Sequence, residues 1–353
     1  MTIEQKSRTM LFPQFGKFII IFFSIAFIIT GIIGYKLYLY VFEENVKTDY
    51  VLFIPENGTF QQVSDSLTFN KILLDYKAFK WVSKKKSYPT TVKPGRYLLQ
   101  KGMTTNELVN MLRVGTQEPI NVTFNNVRFK EDLAGKVSKY IQADSLSILN
   151  LFSDEEEIKK FGFTTETFRV MFIPNTYELF WTTSAKDFAS RMKSEYDRFW
   201  NDSRKTKAEK LDLSPVEVVI LASIVQSETI KRDELKRVSG LYINRLKRGI
   251  LLQADPTIKY AVGDYSIKRV LNKHLEIDSP YNTYKYAGLP PGPITFPETS
   301  VIDAVLNYEK HKYLYMCAKE DFSGYHNFAS TLAQHNRNAA KYRKALNKNR
   351  IYK

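Results

Sequence analysis

The hydrophobic pattern changes most sharply near the start of the chain. The segment from Phe18 to Tyr35 contains no charged residue, is rich in Ile and Phe, and is flanked by Lys17 and Lys36. Apolar residues continue to Phe42, so the segment is long enough to cross a bilayer as a helix and too long for a typical cleaved signal peptide. We therefore predict a transmembrane anchor over residues 18–42.

Charges on either side of the predicted anchor indicate its orientation. Lys6, Arg8 and Lys17 precede it, whereas Glu43 and Glu44 follow it. Because basic residues are enriched on the cytoplasmic side of membrane spans, residues 1–17 are predicted to be cytoplasmic. The rest of the chain would then be extracytoplasmic, or periplasmic in a cell with two membranes, on a single-pass protein of the cytoplasmic (inner) membrane.

Residues 48–116 have the pattern of a small α/β module. Strands are predicted at Tyr50–Ile54 and Gly95–Leu99, separated by helices over residues 63–74 and 76–82. Thr104 begins a further helix, which ends at Gly115. A strand-helix-helix-strand order resembles a LysM-like module, which implies glycan binding. A spacer that lifts the following domain off the bilayer is the alternative.

A helix over residues 216–225 is the best-defined element of the remaining chain. Ser214 and Glu217 form a capping-box pattern around Pro215, and the positions up to Val225 are almost all apolar. Steps of four, three and four residues from Glu217 lead along one face to Glu228, where the apolar run ends. Apolar packing would raise the pKa of this carboxyl. The ordinary alternative is a solvated Glu228, or one paired with a nearby Lys or Arg.

The segments after Glu228 are rich in groups that form hydrogen bonds. A predicted helix over residues 233–248 carries Asn244 near its last turn, and a turn containing Gln253 and Asp255 follows. Tyr281 and Asn282 lie in a later loop of fixed geometry. Amides and hydroxyls pair with sugar hydroxyls while tyrosine rings cover sugar C–H faces, so this chemistry suits an uncharged polyol.

Composition removes several other classes of function. With 353 residues, 44% of them hydrophobic, the chain can bury one or two cores. A net charge of +15 would fit nucleic acid, but an extracytoplasmic chain favours acidic lipid headgroups or an anionic wall polymer. Cys317 is the single cysteine, and His326 and His335 lie nine residues apart. Neither fits a zinc site, so we predict no metal and no cofactor.

Several motifs between Leu221 and Asn336 occur in one order and together resemble the YceG-like family of endolytic murein transglycosylases. The stretches that carry the resemblance are Ala222-Ser-Ile-Val-Gln-Ser-Glu-Thr229, Ile243-Asn-Arg-Leu246, Leu252-Gln-Ala-Asp-Pro-Thr257, Pro280-Tyr-Asn-Thr-Tyr284, Gly288-Leu-Pro-Pro-Gly292, His326-Asn-Phe328 and His335-Asn336. The resemblance extends more thinly to the LysM-like module, and the N-terminal anchor fits the same architecture.

The resemblance implies cleavage of the β-1,4 bond between N-acetylmuramic acid and N-acetylglucosamine within a peptidoglycan strand, leaving a 1,6-anhydro end. In the family's Glu-x-Glu-Thr motif the second glutamate is catalytic, and it falls on Glu228. The first falls on Gln226, which weakens any mechanism that uses both. A single carboxyl suffices, because the C6 hydroxyl of the substrate is the nucleophile and Glu228 can act as acid and then as base.

Oriented donors would supply much of the remaining catalysis. The candidates for these donors, each predicted to bind substrate, are Asn244, Gln253, Tyr281, Asn282 and His326. The alternative is that these residues form hydrogen bonds within the scaffold. Asp255 is a further substrate-binding candidate and the second carboxylate if one is needed.

The predicted fold class is thus α+β: an N-terminal transmembrane helix, a small LysM-like module and a mixed α+β catalytic domain over residues 117–347. The expected partners are peptidoglycan glycan strands and membrane lipid, with peptidoglycan synthases implied only by the resemblance and nucleic acid excluded. A catalytically silent, membrane-tethered scaffold for those synthases is the alternative function. Hydrolysis to a reducing end is the alternative outcome of the reaction.

Overall fold

The computed structural model describes residues 12–267 and 269–349, and the basic residues Lys6 and Arg8 used to orient the anchor lie outside them. The chain divides between Pro119 and Ile120 into two compact units, called here the N-terminal and C-terminal units. The whole is a mixed α+β structure with an N-terminal apolar helix, as predicted.

That apolar helix, α1, runs over Phe12–Phe42. Its portion Gly16–Phe42 has a mean hydropathy of 2.5 and is long and apolar enough to cross a membrane. The large side chains of its central part are exposed, Phe18 at 71% and Phe27 at 81% among them. Exposed apolar side chains on every face are expected of a helix that is surrounded by lipid.

The N-terminal unit builds a small core on one two-stranded sheet. Strands β1 and β2 pair in antiparallel register, from Tyr50 opposite Leu99 to Ile54 opposite Gly95. Capping boxes at Thr59 and Thr104 start two of its helices. The elements after α1 are β1 Tyr50–Ile54, α2 Phe60–Phe69, α3 Tyr76–Lys85, a 3-10 turn Tyr88–Thr90, β2 Gly95–Leu99 and α4 Thr105–Val114.

One helix of this unit is shorter than the sequence pattern predicts. The helix expected to reach residue 74 ends at Phe69, and Lys71 has a left-handed backbone with φ 52°. The reason is a competing contact, because Leu73 forms a β-bridge with Val46, and the Leu74 N–H donates to the Asn45 carbonyl. The buried side chains of Ile72 and Leu73 therefore belong to an extended segment and not to a continuation of α2.

The C-terminal unit is mostly helical and contains two antiparallel strand pairs. Strand β3 pairs with β4, and β5 pairs with β6. Its elements are β3 Ile120–Phe124, α5 Lys130–Val137, α6 Ser145–Leu151, α7 Glu155–Lys160, β4 Asn175–Leu179, α8 Ala185–Phe199, α9 Asp202–Glu209, α10 Pro215–Glu228, α11 Leu235–Lys247, α12 Asp255–Val262, α13 Asn272–Leu275, α14 Thr299–Leu306, β5 Tyr315–Ala318, β6 His326–Ala329 and α15 Leu332–Lys348, with 3-10 turns at Phe168–Met171 and Arg232–Glu234.

Helix α10 is the central helix of this unit. The predicted capping box is present, with Ser214 accepting from the Glu217 N–H and the Glu217 carboxylate accepting from the Ser214 N–H. Every residue from Val218 to Val225 is buried, so the helix is enclosed on all sides by its neighbours and not along one face alone. Glu228 is its last residue, which places a carboxyl where the buried helix reaches a cavity.

Candidate active site

A cavity of about 420 Å³ opens at the C-terminal end of α10. Its walls come from α10, α11, the turn before α12, strands β5 and β6, and α15. Predicted site residues in the wall are Glu228, Gln253, Asp255 and His326. The other residues that line it are Leu241, Tyr242, Arg245, Tyr284, Tyr315, Met316, Cys317, Ala318 and His335.

Glu228 is held in this cavity by a tyrosine and not by a basic residue. The Tyr242 hydroxyl donates to Glu228 Oε1 at 2.8 Å. Among the side chains that the structure describes, neither Lys231 nor Arg232 forms the alternative ion pair with Glu228. Burial raises the pKa of Glu228, with a smaller contribution from the negative charge of Asp255, and the resulting pKa is about 7. The Tyr242 hydrogen bond and Lys259 act in the opposite direction and are outweighed.

Tyr242 lies on α11, which packs against α10. The side chain is buried, and burial together with the Glu228 charge raises the tyrosine pKa well above its ordinary value. Tyr242 therefore keeps its proton and remains a donor to Glu228 in either protonation state of the carboxyl.

The turn that precedes α12 is fixed by Thr283. The Thr283 carbonyl accepts from the Gln253 N–H, and its hydroxyl accepts from the Ala254 N–H at 3.0 Å. Gln253 itself has a left-handed backbone with φ 51°, an uncommon conformation for a residue with a side chain, which the Thr283 contacts hold. Asp255 follows as the first residue of α12, and its Oδ1 accepts from the Tyr284 hydroxyl at 2.5 Å.

His326, at the start of β6, is oriented by a buried carboxylate. Its Nδ1 lies 2.8 Å from Glu234 Oε2, and its backbone N–H donates to Glu234 Oε1 at 3.0 Å. Glu234 is 3% exposed and also accepts from the Thr229 hydroxyl at 3.4 Å. A carboxylate at Nδ1 favours the tautomer with the proton on that nitrogen, which leaves Nε2 as a hydrogen-bond acceptor.

Three predicted site residues do not line the cavity. The Asn244 amide donates to the carbonyls of His311 and Tyr313, and the buried Asn282 amide donates to those of Leu275 and Ile277. Tyr281 packs its ring against Tyr260, with centroids 4.6 Å apart. With these contacts the three residues act as scaffold, which was the alternative prediction for each. The structure does not bring their side chains to Glu228.

Tyr242, Arg245 and Tyr284 were missed by the sequence reasoning although each lines the cavity. Tyr242 and Arg245 are three residues apart on α11, so they share a helix face, and that spacing was available in the sequence. The Arg245 guanidinium donates to Gln253 Oε1 at 2.7 Å and lies over the Tyr315 ring. Asn244, beside Arg245, lies on another face of the helix, where its amide donates to the carbonyls of His311 and Tyr313.

Gln226, where the resemblance expects a glutamate, links two segments of the scaffold. Its amide nitrogen donates to the Phe296 carbonyl at 3.1 Å, and its amide oxygen accepts from the Glu298 N–H at 2.7 Å. Gln226 is not part of the cavity wall. The exchange of Glu for Gln at this position therefore removes no carboxylate from the cavity.

The chemistry of the site is that of an acid and hydrogen-bonding groups. Within the described parts of the chain, no group of three or more His, Cys, Asp or Glu side chains is arranged to hold a metal ion. The carboxylic acids in the cavity wall are Glu228 and Asp255, and they share the site with tyrosine hydroxyls, an amide, a guanidinium and imidazoles. The arrangement can transfer a proton and bind an uncharged, hydroxyl-rich ligand.

The chain is similar to a known protein family and to several of its members. A family described as the YceG-like family matches residues 52–341. An endolytic murein transglycosylase of Bacillus subtilis (strain 168) is 29% identical over 316 residues, which cover 85% of this chain and 86% of that protein. One from Streptococcus pneumoniae (strain D39) is 28% identical over 345 residues, 88% of this chain but 62% of that longer protein.

A solved structure has the same fold. The crystal structure of a YceG-like protein from Listeria monocytogenes superposes with a TM-score of 0.53 at 27% identity. The match covers 82% of this chain and 99% of that one.

Proposed function

The chain belongs to the YceG-like family, and we propose that it is a membrane-anchored, endolytic peptidoglycan lytic transglycosylase. Its substrate is the β-1,4 bond between N-acetylmuramic acid and N-acetylglucosamine within a glycan strand. The observation that carries the proposal is Glu228, a carboxyl with a pKa of about 7 at the wall of a cavity that also presents tyrosine hydroxyls, an amide, a guanidinium and imidazoles. Relatives named endolytic murein transglycosylase support it.

The reaction needs one proton donor and no added nucleophile. Protonated Glu228 gives its proton to the glycosidic oxygen as the bond from that oxygen to C1 of N-acetylmuramic acid breaks. The C6 hydroxyl of the same sugar attacks C1, and the Glu228 carboxylate accepts the hydroxyl proton. No water is consumed, the departing N-acetylglucosamine carries a free hydroxyl, and the muramyl end is a 1,6-anhydro sugar.

The raised pKa of Glu228 serves both steps. Near neutral pH about half of the molecules carry the protonated acid that the first step requires. After proton transfer, the Tyr242 hydroxyl, at 2.8 Å from Oε1, stabilises the carboxylate that forms. A carboxylate with a pKa near 7 is also a much stronger base than one at 4.5, so it accepts the C6 proton readily.

Other cavity residues act on the substrate without exchanging protons with it. Asp255, held by Tyr284, places a negative charge in the site where positive charge develops at C1. His326 is a positioning group whose ring is fixed by Glu234, and its Nε2 pairs with a sugar hydroxyl or the acetamido group. Gln253 presents its amide beside Arg245 for the same purpose.

The anchor and the small module complete the proposal. Helix α1 crosses the cytoplasmic membrane with the N-terminus inside, so the catalytic unit faces the wall and its substrate. The β1-α2-α3-β2 order supports a LysM-like, glycan-binding role for the N-terminal unit, and peptidoglycan synthases are partners by family alone. Under the scaffold alternative, Gln226 would mark the decay of a former catalytic site. This alternative is weakened because Gln226 forms two structural hydrogen bonds outside the cavity.

Mass spectrometry of glycan strands digested by the full chain in detergent tests the proposal, with Glu228→Gln beside the wild type. We expect 1,6-anhydro ends from the wild type, and a rate reduced about a hundred- to ten-thousand-fold in the variant. Reducing ends would assign hydrolysis by water. Intact strands that still bind the wild type would assign the scaffold function.

A further inference from the structure

The C-terminal end of α1 is built into the N-terminal unit and is not a loose tether. Val41 packs against the core of this unit. Glu44 forms a β-bridge with Thr104, and the buried Asn45 donates through its side-chain amide to the Asp75 carbonyl at 2.8 Å and to Thr105 Oγ1 at 2.9 Å. A membrane that surrounds α1 is therefore held at a defined position relative to α3, the helix that Asp75 caps.

The length of α1 gives the depth of its last turns. From Phe18 to Tyr35 the uncharged segment is about 27 Å long at 1.5 Å per residue, close to the thickness of a bilayer hydrocarbon core. Lys17 and Lys36 then lie at its two boundaries. Tyr40 lies about 7 Å beyond Tyr35 along the helix, at the level of the headgroup layer.

At this level α1 and α3 share a cluster of aromatic and basic side chains: Lys36, Tyr40, Trp81 and Lys85, called here the headgroup cluster. The Tyr40 and Trp81 rings are 6.2 Å apart between centroids. Lys36 Nζ lies 5.9 Å from the Tyr40 ring centroid, and Lys85 Nζ lies 5.7 Å from that of Trp81. Trp and Tyr favour the membrane–water interface because each ring has an apolar body and a polar edge.

The rest of α3 has the charge that an anionic surface requires. Lys77, Lys80, Lys84 and Lys85 are exposed, and the helix sequence from Tyr76 to Lys85 contains no acidic residue. Exposed lysines on a solvated helix need no binding partner. These lysines, however, lie on the same helix as the partly exposed Trp81, beside the end of a membrane span. Basic residues near a bilayer surface are attracted to anionic lipids over about a Debye length.

We propose that the headgroup cluster, with the exposed lysines of α3, binds anionic phospholipid headgroups of the bilayer that α1 crosses. The inference rests on the proposed membrane anchoring and adds to it a lipid class and a binding face. Its consequence is that the N-terminal unit is held against the membrane surface by α3 as well as by α1.

Fluorescence quenching of Trp81 in vesicles tests this directly. The full chain and Trp81→Phe are each reconstituted in phosphatidylcholine–phosphatidylglycerol vesicles, and the difference between their emission isolates Trp81 from the chain's two other tryptophans. Either lipid is supplied brominated on the acyl carbons nearest the headgroup. We expect brominated lipid to remove most of the Trp81 emission, and brominated phosphatidylglycerol to quench more than brominated phosphatidylcholine at equal mole fraction.

A charge variant and its control test the choice of lipid. Lys84→Gln with Lys85→Gln should abolish the preference for phosphatidylglycerol, as should raised salt. Lys205→Gln with Lys210→Gln removes the same charge from exposed positions of the C-terminal unit and should preserve it. Equal quenching by both lipids in the wild type would overturn the inference.

The remaining outcomes separate this inference from the anchor and from the enzyme. Unquenched Trp81 in a chain that sediments with the vesicles and resists alkaline extraction would overturn the headgroup site and leave the anchor standing. A chain that fails to insert would overturn both. If lipid leaves Trp81 unquenched and soluble poly(glycerol phosphate) shifts its emission, the face binds a wall polymer and the inference is wrong. Strand cleavage is measured separately and decides none of these outcomes.

Discussion

Replacing Glu228 by glutamine is expected to stabilise the C-terminal unit at neutral and alkaline pH while it removes activity. In the folded chain the pKa of Glu228 is about 7, whereas the ordinary value is 4.5. Between these pH values the folded state holds a proton that the unfolded state has lost, so stability falls as pH rises. Below pH 4.5 both states are protonated, and above pH 7 both are ionised, with the full penalty present.

The size of this penalty follows from the two pKa values. At 1.36 kcal/mol per pH unit, the difference corresponds to about 3 kcal/mol at pH 8. Glutamine has the same shape, carries no charge, and its amide oxygen can accept the Tyr242 hydrogen bond. As the pH rises from 4.5 to 8, the free energy of unfolding of Glu228→Gln should therefore increase by about 3 kcal/mol relative to that of the wild type.

Urea unfolding of both proteins in the same detergent measures the effect, at half-unit steps from pH 4.5 to pH 8.5. Tryptophan fluorescence reports the unfolding because Trp200 is buried in this unit. The quantity of interest is the change with pH of the difference between variant and wild type, which cancels pH effects common to both. Glu209→Gln, the same exchange at an exposed position, is the control. A difference that stays constant across the range would refute the raised pKa and the role derived from it.

Four further substitutions test the contacts of the site. Tyr242→Phe removes the hydrogen bond that lowers the Glu228 pKa, so the pH at which kcat/KM falls by half should move upward. Asp255→Asn removes a charge that raises this pKa, so the same midpoint should move downward. Shifts of both variants in the same direction would contradict the assignment. Glu234→Gln weakens the charge-assisted hydrogen bond to His326, and a kcat/KM reduced about ten- to hundredfold is expected, with the alkaline midpoint retained; an unchanged rate would remove this positioning role. Gln226→Glu takes away an amide donor and should lower the free energy of unfolding in urea by about 1–3 kcal/mol without raising the cleavage rate. A faster enzyme would show that a second carboxylate matters.

The sequence predicts Glu228 as the candidate acid because its local signals agree. The capping box at Ser214 sets the start of α10, the apolar run sets its burial, and Glu228 is where that run ends. These are short-range features that the sequence displays directly. The same holds for the positions of strands β1 and β2 and for the cap at Thr104.

The partners of the acid depend on contacts between segments far apart in the chain. Tyr242 reaches Glu228 only because α11 packs back on α10, and Glu234 meets His326 across 92 residues. Asn244 and Asn282 were predicted from the same motifs, but their amides hold loops together in the structure. Residue type and motif membership alone do not separate these two roles.

The most direct test of the account is the pH dependence of strand cleavage by the wild-type chain, measured as kcat/KM for formation of 1,6-anhydro ends. A proton donor with a pKa of about 7 predicts a rate that is level at acidic pH, falls to half near pH 7 and then decreases tenfold per pH unit. The residual activity of Glu228→Gln should show no such fall with pH. A wild-type rate that declines with a midpoint near 4.5, or that stays level through pH 9, would contradict Glu228 as the buried acid of this reaction.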